Sequence, residues 1–132
     1  MTDSQQPLWS ASPERISNSR IMAFINEVNA RRKLGLSNYH DLYQWSIDHI
    51  EDFWVELWDF AEVIAETRGK RVLVDPDKMP GARFFPEAKL NFAENLLLRH
   101  NVHRQDTDAI VFWGEDKIRR RMTHAELYDE VG

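Results

Sequence analysis

The stretch MPGARFFPEAKLNFAENLLLRH, residues 79–100, sets the strongest limit on how this chain folds. Pro80 and Pro86 lock their backbone angles and lack amide donors, and Gly81 admits angles that other residues avoid. No helix is therefore expected to run through residues 79–90, which read instead as an ordered strap crossing the surface. Surface loops seldom carry much aromatic bulk, yet this one brings Phe84, Phe85 and Phe92. The rings are expected to anchor the strap on a hydrophobic face. Asn91 with Glu94 makes a capping pair, opening a helix through Phe92, Leu96 and Leu97 to about His100.

Upstream of the strap the pattern is helical. Residues 1–11 have no periodicity and read as a mobile tail. At SPER, Ser12 suits an N-cap, Pro13 the first helical position and Glu14 the positive end of the helix dipole. Ile21, Phe24, Ile25 and Val28 then recur at helical spacing, and Arg31, Arg32 and Lys33 gather in the last turn before Gly35. Basic residues there compensate the helix dipole and need not form a binding patch. Asn38 with Asp41 opens a short helix through Leu42 and Trp45, and Asp48 with Glu51 opens the next. In that helix Phe53, Trp54, Leu57, Ala61 and Ile64 keep the spacing to about Thr67, with Gly69 as the stop. Trp45, Trp54 and Trp58 crowd this region as packing residues.

RVLV reads as a short strand, and DPDKMPG as turn chemistry. Further on, DAIVFW, a turn over Gly114–Lys117 and IRRRMT make a hairpin, and Thr123 with Glu126 opens a helix over HAELYDEV. A two-stranded hairpin is marginal in water, and a helix of two turns nucleates poorly alone. The expected fold class is therefore α+β: a mostly helical N-terminal segment over 12–108, then a hairpin and helix over 109–132 that begin a larger sheet domain.

Few kinds of chemistry remain open to such a chain. Its net charge of −5, from 17 basic and 22 acidic residues, lacks the basic stripe that neutralises phosphates. No nucleic-acid partner is expected. Cysteine is absent, which removes thiol nucleophiles, thiolate metal sites and disulfides. The most apolar stretch is interrupted by acids, and MTDSQQ lacks the form of a secretion signal, so no membrane partner and a cytoplasmic location are expected. No glycine pair has phosphate-loop spacing, and no serine sits in a nucleophile elbow. His40, His49, His100, His103 and His124 are dispersed. His100 and His103 have helical ligand spacing but look like a helix end among basic residues. Glu51/Asp52 and Glu115/Asp116 read as solvated surface. No catalytic, cofactor-binding or metal residue is assigned to this chain.

The strap with WSIDHIEDFWVELWDF before it resembles the N-terminal region of the acetoacetyl-CoA synthetase family, within the acyl-adenylating superfamily that includes acetyl-CoA synthetase. Three features coincide in order: Trp45, Ser46, Phe53 and Trp54; the Ala-Arg-Phe-Phe-Pro strap; and the run from Leu90 to Asn95. AIVFWGED and MTHAEL look like the entry to the superfamily's adenylating domain. The resemblance implies a parent enzyme that uses ATP and Mg to convert acetoacetate to an acyl-adenylate, releasing pyrophosphate, and then passes the acyl group to coenzyme A. The family's phosphate loop, acidic ATP motif and catalytic lysine have no counterpart here. What is implied for this chain is a structural, non-catalytic role whose partner is the remainder of its own adenylating domain. The alternative is a free-standing helical module that binds a partner through its Trp-rich face.

Overall fold

A computed structural model describes the backbone of residues 9–101 and 106–131, with side chains up to Leu97 and again from Asp106. Residues 1–8 of the expected tail, the His100 side chain and His103 lie outside the described residues. The chain divides into two compact units, Met1–Glu62 and Val63–Gly132.

The first unit is helical: α1 (Pro13–Ser17), α2 (Arg20–Arg32), α3 (Tyr39–Asp48) and α4 (Ile50–Phe60). Ser12 caps α1 as expected, its hydroxyl accepting from the Arg15 N–H at 3.2 Å. The single helix expected from there to Lys33 is interrupted. Ser19 takes an extended conformation and caps afresh, accepting from the Met22 N–H at 3.3 Å, because a serine offers the backbone an alternative to the helical ladder. The stop also differs. Lys33, not Gly35, takes the left-handed position, with φ 56°. Asn29 then holds the outgoing chain, accepting from the Leu36 N–H at 2.9 Å and donating to the Leu36 carbonyl at 2.7 Å.

Asn38 caps α3 as expected, accepting from the His40 and Asp41 N–H groups at 2.8 and 3.1 Å. The expected Asp48–Glu51 cap is absent. His49 stands at the start of α4 without a side-chain cap, and Asp48 accepts from Gln44 at 2.9 Å instead. Helix α4 ends at Phe60, short of Thr67, with Glu62 turned to φ 48°. The core consists of Phe24, Ile25 and Val28 from α2 and Leu42 and Trp45 from α3, with Phe53, Leu57 and Phe60 of α4 closing over it. Ile25 and Val28 are fully buried. Phe24 meets Phe53 edge-on at 6.0 Å and Phe60 at 5.0 Å, and Trp45 meets Phe53 at 6.3 Å. Trp45 is thus a packing residue, as its spacing predicted.

One acid lies inside this unit. Glu56 is 6% exposed; its carboxylate accepts from Arg32 Nε at 2.6 Å and lies 3.5 Å from Arg31 Nη1. Arg32 also reaches Asp52 at 2.8 Å, while Arg31 pairs with Glu27 and stands 3.4 Å from Asp59. The basic turn therefore does more than compensate a dipole: it ties α2 to α4. Asp52, expected to be solvated surface, is part of that tie.

Asp41 yields an acid-side prediction. Hydrogen bonds from the Ser37 hydroxyl and N–H, and then from Asn38, hold its carboxyl below the usual aspartate range. A depressed folded-state value contributes stability above the unfolded pKa, about 4, that is lost as pH falls through the folded value. In urea titrations the gap between wild type and Asp41→Asn is expected to be widest near neutrality and to shrink below about pH 4. A gap independent of pH would remove the carboxylate's role.

The second unit contains β1 (Leu73–Val74), β2 (Arg83–Phe84), α5 (Phe92–Asn101), β3 (Asp108–Trp113), β4 (Arg119–Thr123) and α6 (His124–Val131). Its strands form two separate antiparallel pairs, β1–β2 and β3–β4. The α+β class expected from the sequence is the one observed.

Candidate docking interface

Residues 63–91 are tied together by a set of polar contacts. In α5, which Asn91 caps by accepting from the Glu94 N–H at 3.3 Å, Asn95 turns its amide onto the Ile64 backbone. It accepts from the N–H and donates to the carbonyl, both at 2.8 Å. The Glu66 N–H donates to the Lys89 carbonyl and the Lys89 N–H to the Thr67 carbonyl, each at 2.9 Å. Leu73 pairs with Phe84 and Val74 with Arg83.

Glu87 crosses the strap to accept from the Lys70 N–H at 2.8 Å and from Arg71 Nε at 2.6 Å. Those bonds, the Lys70 one first, hold its carboxyl below the usual glutamate range. Gly69 makes this crossing possible. It has φ 78°, and a side chain there would place Cβ 2.4 Å from the Glu87 Cβ; its role is this close approach, and it is not the stop of α4.

The rings meet a different fate from the one expected. Phe85 is half-buried at φ 44°, but Phe84, Leu90 and Leu96 are exposed and Phe92 is 76% exposed. Only Leu97 of α5 enters a buried position among the described residues. The strap is ordered by its clamps, and much of its aromatic bulk faces outward.

The hairpin is similar. Its register pairs Ile110 with Met122, Val111 with Arg121, Phe112 with Arg120 and Trp113 with Arg119. Side chains alternate between faces along a strand, so four consecutive exposed apolar residues, Ile110 to Trp113, present apolar surface on both. Such an uninterrupted run is the signature of a strand covered on both sides. Arg119 lies over the Trp113 ring at 4.4 Å, and Arg121 pairs with Asp108. Helix α6 leaves the hairpin through the expected box: the Glu126 N–H donates to the Thr123 hydroxyl at 3.2 Å, and Glu126 accepts from the Thr123 N–H at 2.8 Å. It packs against β3, β4 and α5.

Among the described residues, no cluster of His, Cys, Asp or Glu is arranged to hold a metal. His40 lies 5.6 Å from the Tyr39 ring and His49 6.3 Å from Trp45, while His124 opens α6. Gly69 faces Glu87, Gly81 faces Lys78 and Gly114 lies in the hairpin turn, and none lines a run of amides at the start of a helix as a phosphate cradle requires. No helix among the described residues is long and apolar enough to cross a membrane.

Residues 39–96 match the family model described as acetyl-coenzyme A synthetase N-terminus. The acetoacetyl-coenzyme A synthetase of Rhizobium meliloti is 40% identical over 93% of this chain, and that of Macaca fascicularis is 34% identical over 96%. A malonamoyl-CoA synthetase of Penicillium aethiopicum is 35% identical over 96%. In three dimensions the chain superposes on acetoacetyl-CoA synthetase from Streptomyces lividans with a TM-score of 0.76 and 35% identity, over 92% of its length. It spans 18% of each of these relatives and 19% of the solved chain, about a fifth of their length.

Proposed function

We propose, from the premise that this chain is related in sequence and fold to the N-terminal region of acetoacetyl-CoA synthetases, that it is the structural lead-in of an AMP-forming acid–thiol ligase. One observation carries the proposal. Apolar side chains stand exposed on both faces of the β3–β4 hairpin and along the strap and α5, in a chain that covers about a fifth of each relative's length. The remainder of the same polypeptide is the surface that covers them.

The parent's chemistry follows the relatives' names. A carboxylate is a poor electrophile, so joining it to a thiol needs activation, which ATP supplies by giving the acyl group an AMP leaving group. Acetoacetate is the proposed acid, used in lipid and ketone-body metabolism. The malonamoyl-CoA synthetase aligns as well as the Macaca fascicularis acetoacetyl-CoA synthetase does, which supports an acyl pocket outside these residues. ATP, Mg and coenzyme A are likewise assigned to the rest of the parent. The reading calls for a cytoplasmic protein, and a chain free of cysteine suits a reducing compartment.

Intact mass of the native polypeptide carrying these residues tests the proposal. A species about five times this chain's mass is expected, and it should form acetoacetyl-CoA from acetoacetate, ATP and coenzyme A, while the 132-residue chain forms none. A native mass equal to this chain would sink the ligase reading in favour of a helical interaction module.

A further inference from the structure

Helix α4 reads IEDFWVELWDF and carries apolar residues on two faces. Phe53, Leu57 and Phe60 recur at i, i+4 and i+7 and close over the core. Trp54 and Trp58, each one position further on, share a second face about 100° round the helix, and both are half-buried. Hydrophobic burial is non-directional, and an indole removes as large an area from water as a phenyl ring does. Apolar content alone therefore does not say which face of α4 turns inward.

The acids of α4 do say. Asp52, Glu56 and Asp59 also fall at i, i+4 and i+7, on the flank about 100° the other way, and all three meet the last turn of α2. Arg32 holds Asp52 at 2.8 Å and Glu56 at 2.6 Å, and Arg31 stands 3.5 Å from Glu56 and 3.4 Å from Asp59. Turning α4 by about 100° to bring Trp54 and Trp58 onto the core would swing these acids to the side away from the core and set Phe53, Leu57 and Phe60 toward the two arginines. The apolar burial would be similar, and the ion pairs would be gone.

We infer that the Arg32–Glu56 pair, at the centre of this acid stripe, is a registry device that fixes which face of α4 packs against α2 and α3. Exposed ion pairs add little stability, and a buried one often adds no more than apolar side chains of the same volume would. The use for which a polar group in a core is best attested is the choice of one packing among several of similar energy. Glu56 has the features this use requires: it is buried, it is paired, and it flanks a helix with a second apolar face. The inference concerns the helical unit alone and stands independently of the ligase reading.

Indole N–H resonances of the 15N-labelled 132-residue chain test it, since each of the five tryptophans gives one signal. Trp45, Trp54 and Trp58 belong to α3 and α4, while Trp9 and Trp113 lie outside these helices and serve as references. Wild type is expected to show five sharp signals. Arg32→Met with Glu56→Leu should keep the far-ultraviolet helical signal, while the Trp45, Trp54 and Trp58 resonances double or broaden and the two references do not. Adding Trp54→Gln and Trp58→Gln removes the competing face, and the Trp45 signal should return to one sharp line at its wild-type position.

Unchanged sharp signals in the double variant would show that packing alone sets the face and would overturn the inference. Loss of the helical signal there would overturn it too, making the pair a source of stability and not of choice. A Trp45 line that stays double or broad in the fourfold variant, or moves to its unfolded position, would show that the Trp54–Trp58 face was never the competitor. Doubling already present in wild type would mean that the pair fixes nothing.

Discussion

Replacing Phe24 with alanine is expected to remove much or all of the stability of the N-terminal unit and to shift its urea midpoint sharply downward. Phe24 is 5% exposed and is the ring through which α2 meets both Phe53 and Phe60 of α4. Truncating a buried phenylalanine costs about 3–5 kcal/mol, from lost transfer energy and the cavity left behind. The unit spans Met1–Glu62, and at about 0.05–0.15 kcal/mol per residue a unit of that size has only about 3–9 kcal/mol in total. The substitution therefore removes much or all of its margin. Far-ultraviolet circular dichroism and urea titration followed by tryptophan fluorescence would check this, because Trp45 sits in the same core. Phe24→Leu keeps most of the volume and should cost less than about 1.5 kcal/mol. Cooperative unfolding of Phe24→Ala at the wild-type midpoint would mean that α4 does not depend on this ring.

Arg32→Ala is the second large effect, at about 3 kcal/mol. The Glu56 side chain is 7% exposed and accepts from Arg32 at 2.6 Å. That hydrogen bond first, and Asp52 after it, raise the guanidinium pKa above its ordinary value, against the opposing effect of burial, so Arg32 keeps its charge. Removing the arginine leaves a buried carboxylate whose remaining cation, Arg31, stands 3.5 Å away. The penalty comes mostly from that orphaned charge. Arg32→Met combined with Glu56→Leu replaces both partners by apolar groups of similar size and should recover most of the loss. A single variant within about 0.5 kcal/mol of wild type, or a double variant as unstable as the single, would contradict this account of the tie between α2 and α4.

What the sequence revealed and what it concealed differ in range along the chain. Caps at Ser12, Asn38, Asn91 and Thr123 were legible because each joins residues two or three positions apart. The core face Phe24–Ile25–Val28 and the closing hairpin were legible from periodicity alone. The early end of α4 was not, since the residues beyond it are claimed by Asn95, 31 positions from Ile64. Arg32 finds Glu56 and Asp52 at 24 and 20 positions, too far for spacing to reveal, so the basic turn looked like dipole compensation and no more. The strap's irregular path was readable from Pro80, Gly81 and Pro86, but the direction of its rings was not. Aromatic residues announce that something must cover them, without saying whether the cover lies in the same unit.

The register of β3 against β4 bears on how this chain behaves at high concentration. Val111, Phe112 and Trp113 each face an arginine across the ladder. A flat apolar strand edge is a template for stacking of identical copies, and these arginines act as gatekeepers by setting like charges against one another as copies approach. That protection is electrostatic, and its reach falls from about 30 Å at 0.01 M salt to about 3 Å at 1 M. The isolated chain should therefore remain dispersed in dilute buffer and aggregate as salt is raised, the reverse of an assembly held together by ion pairs.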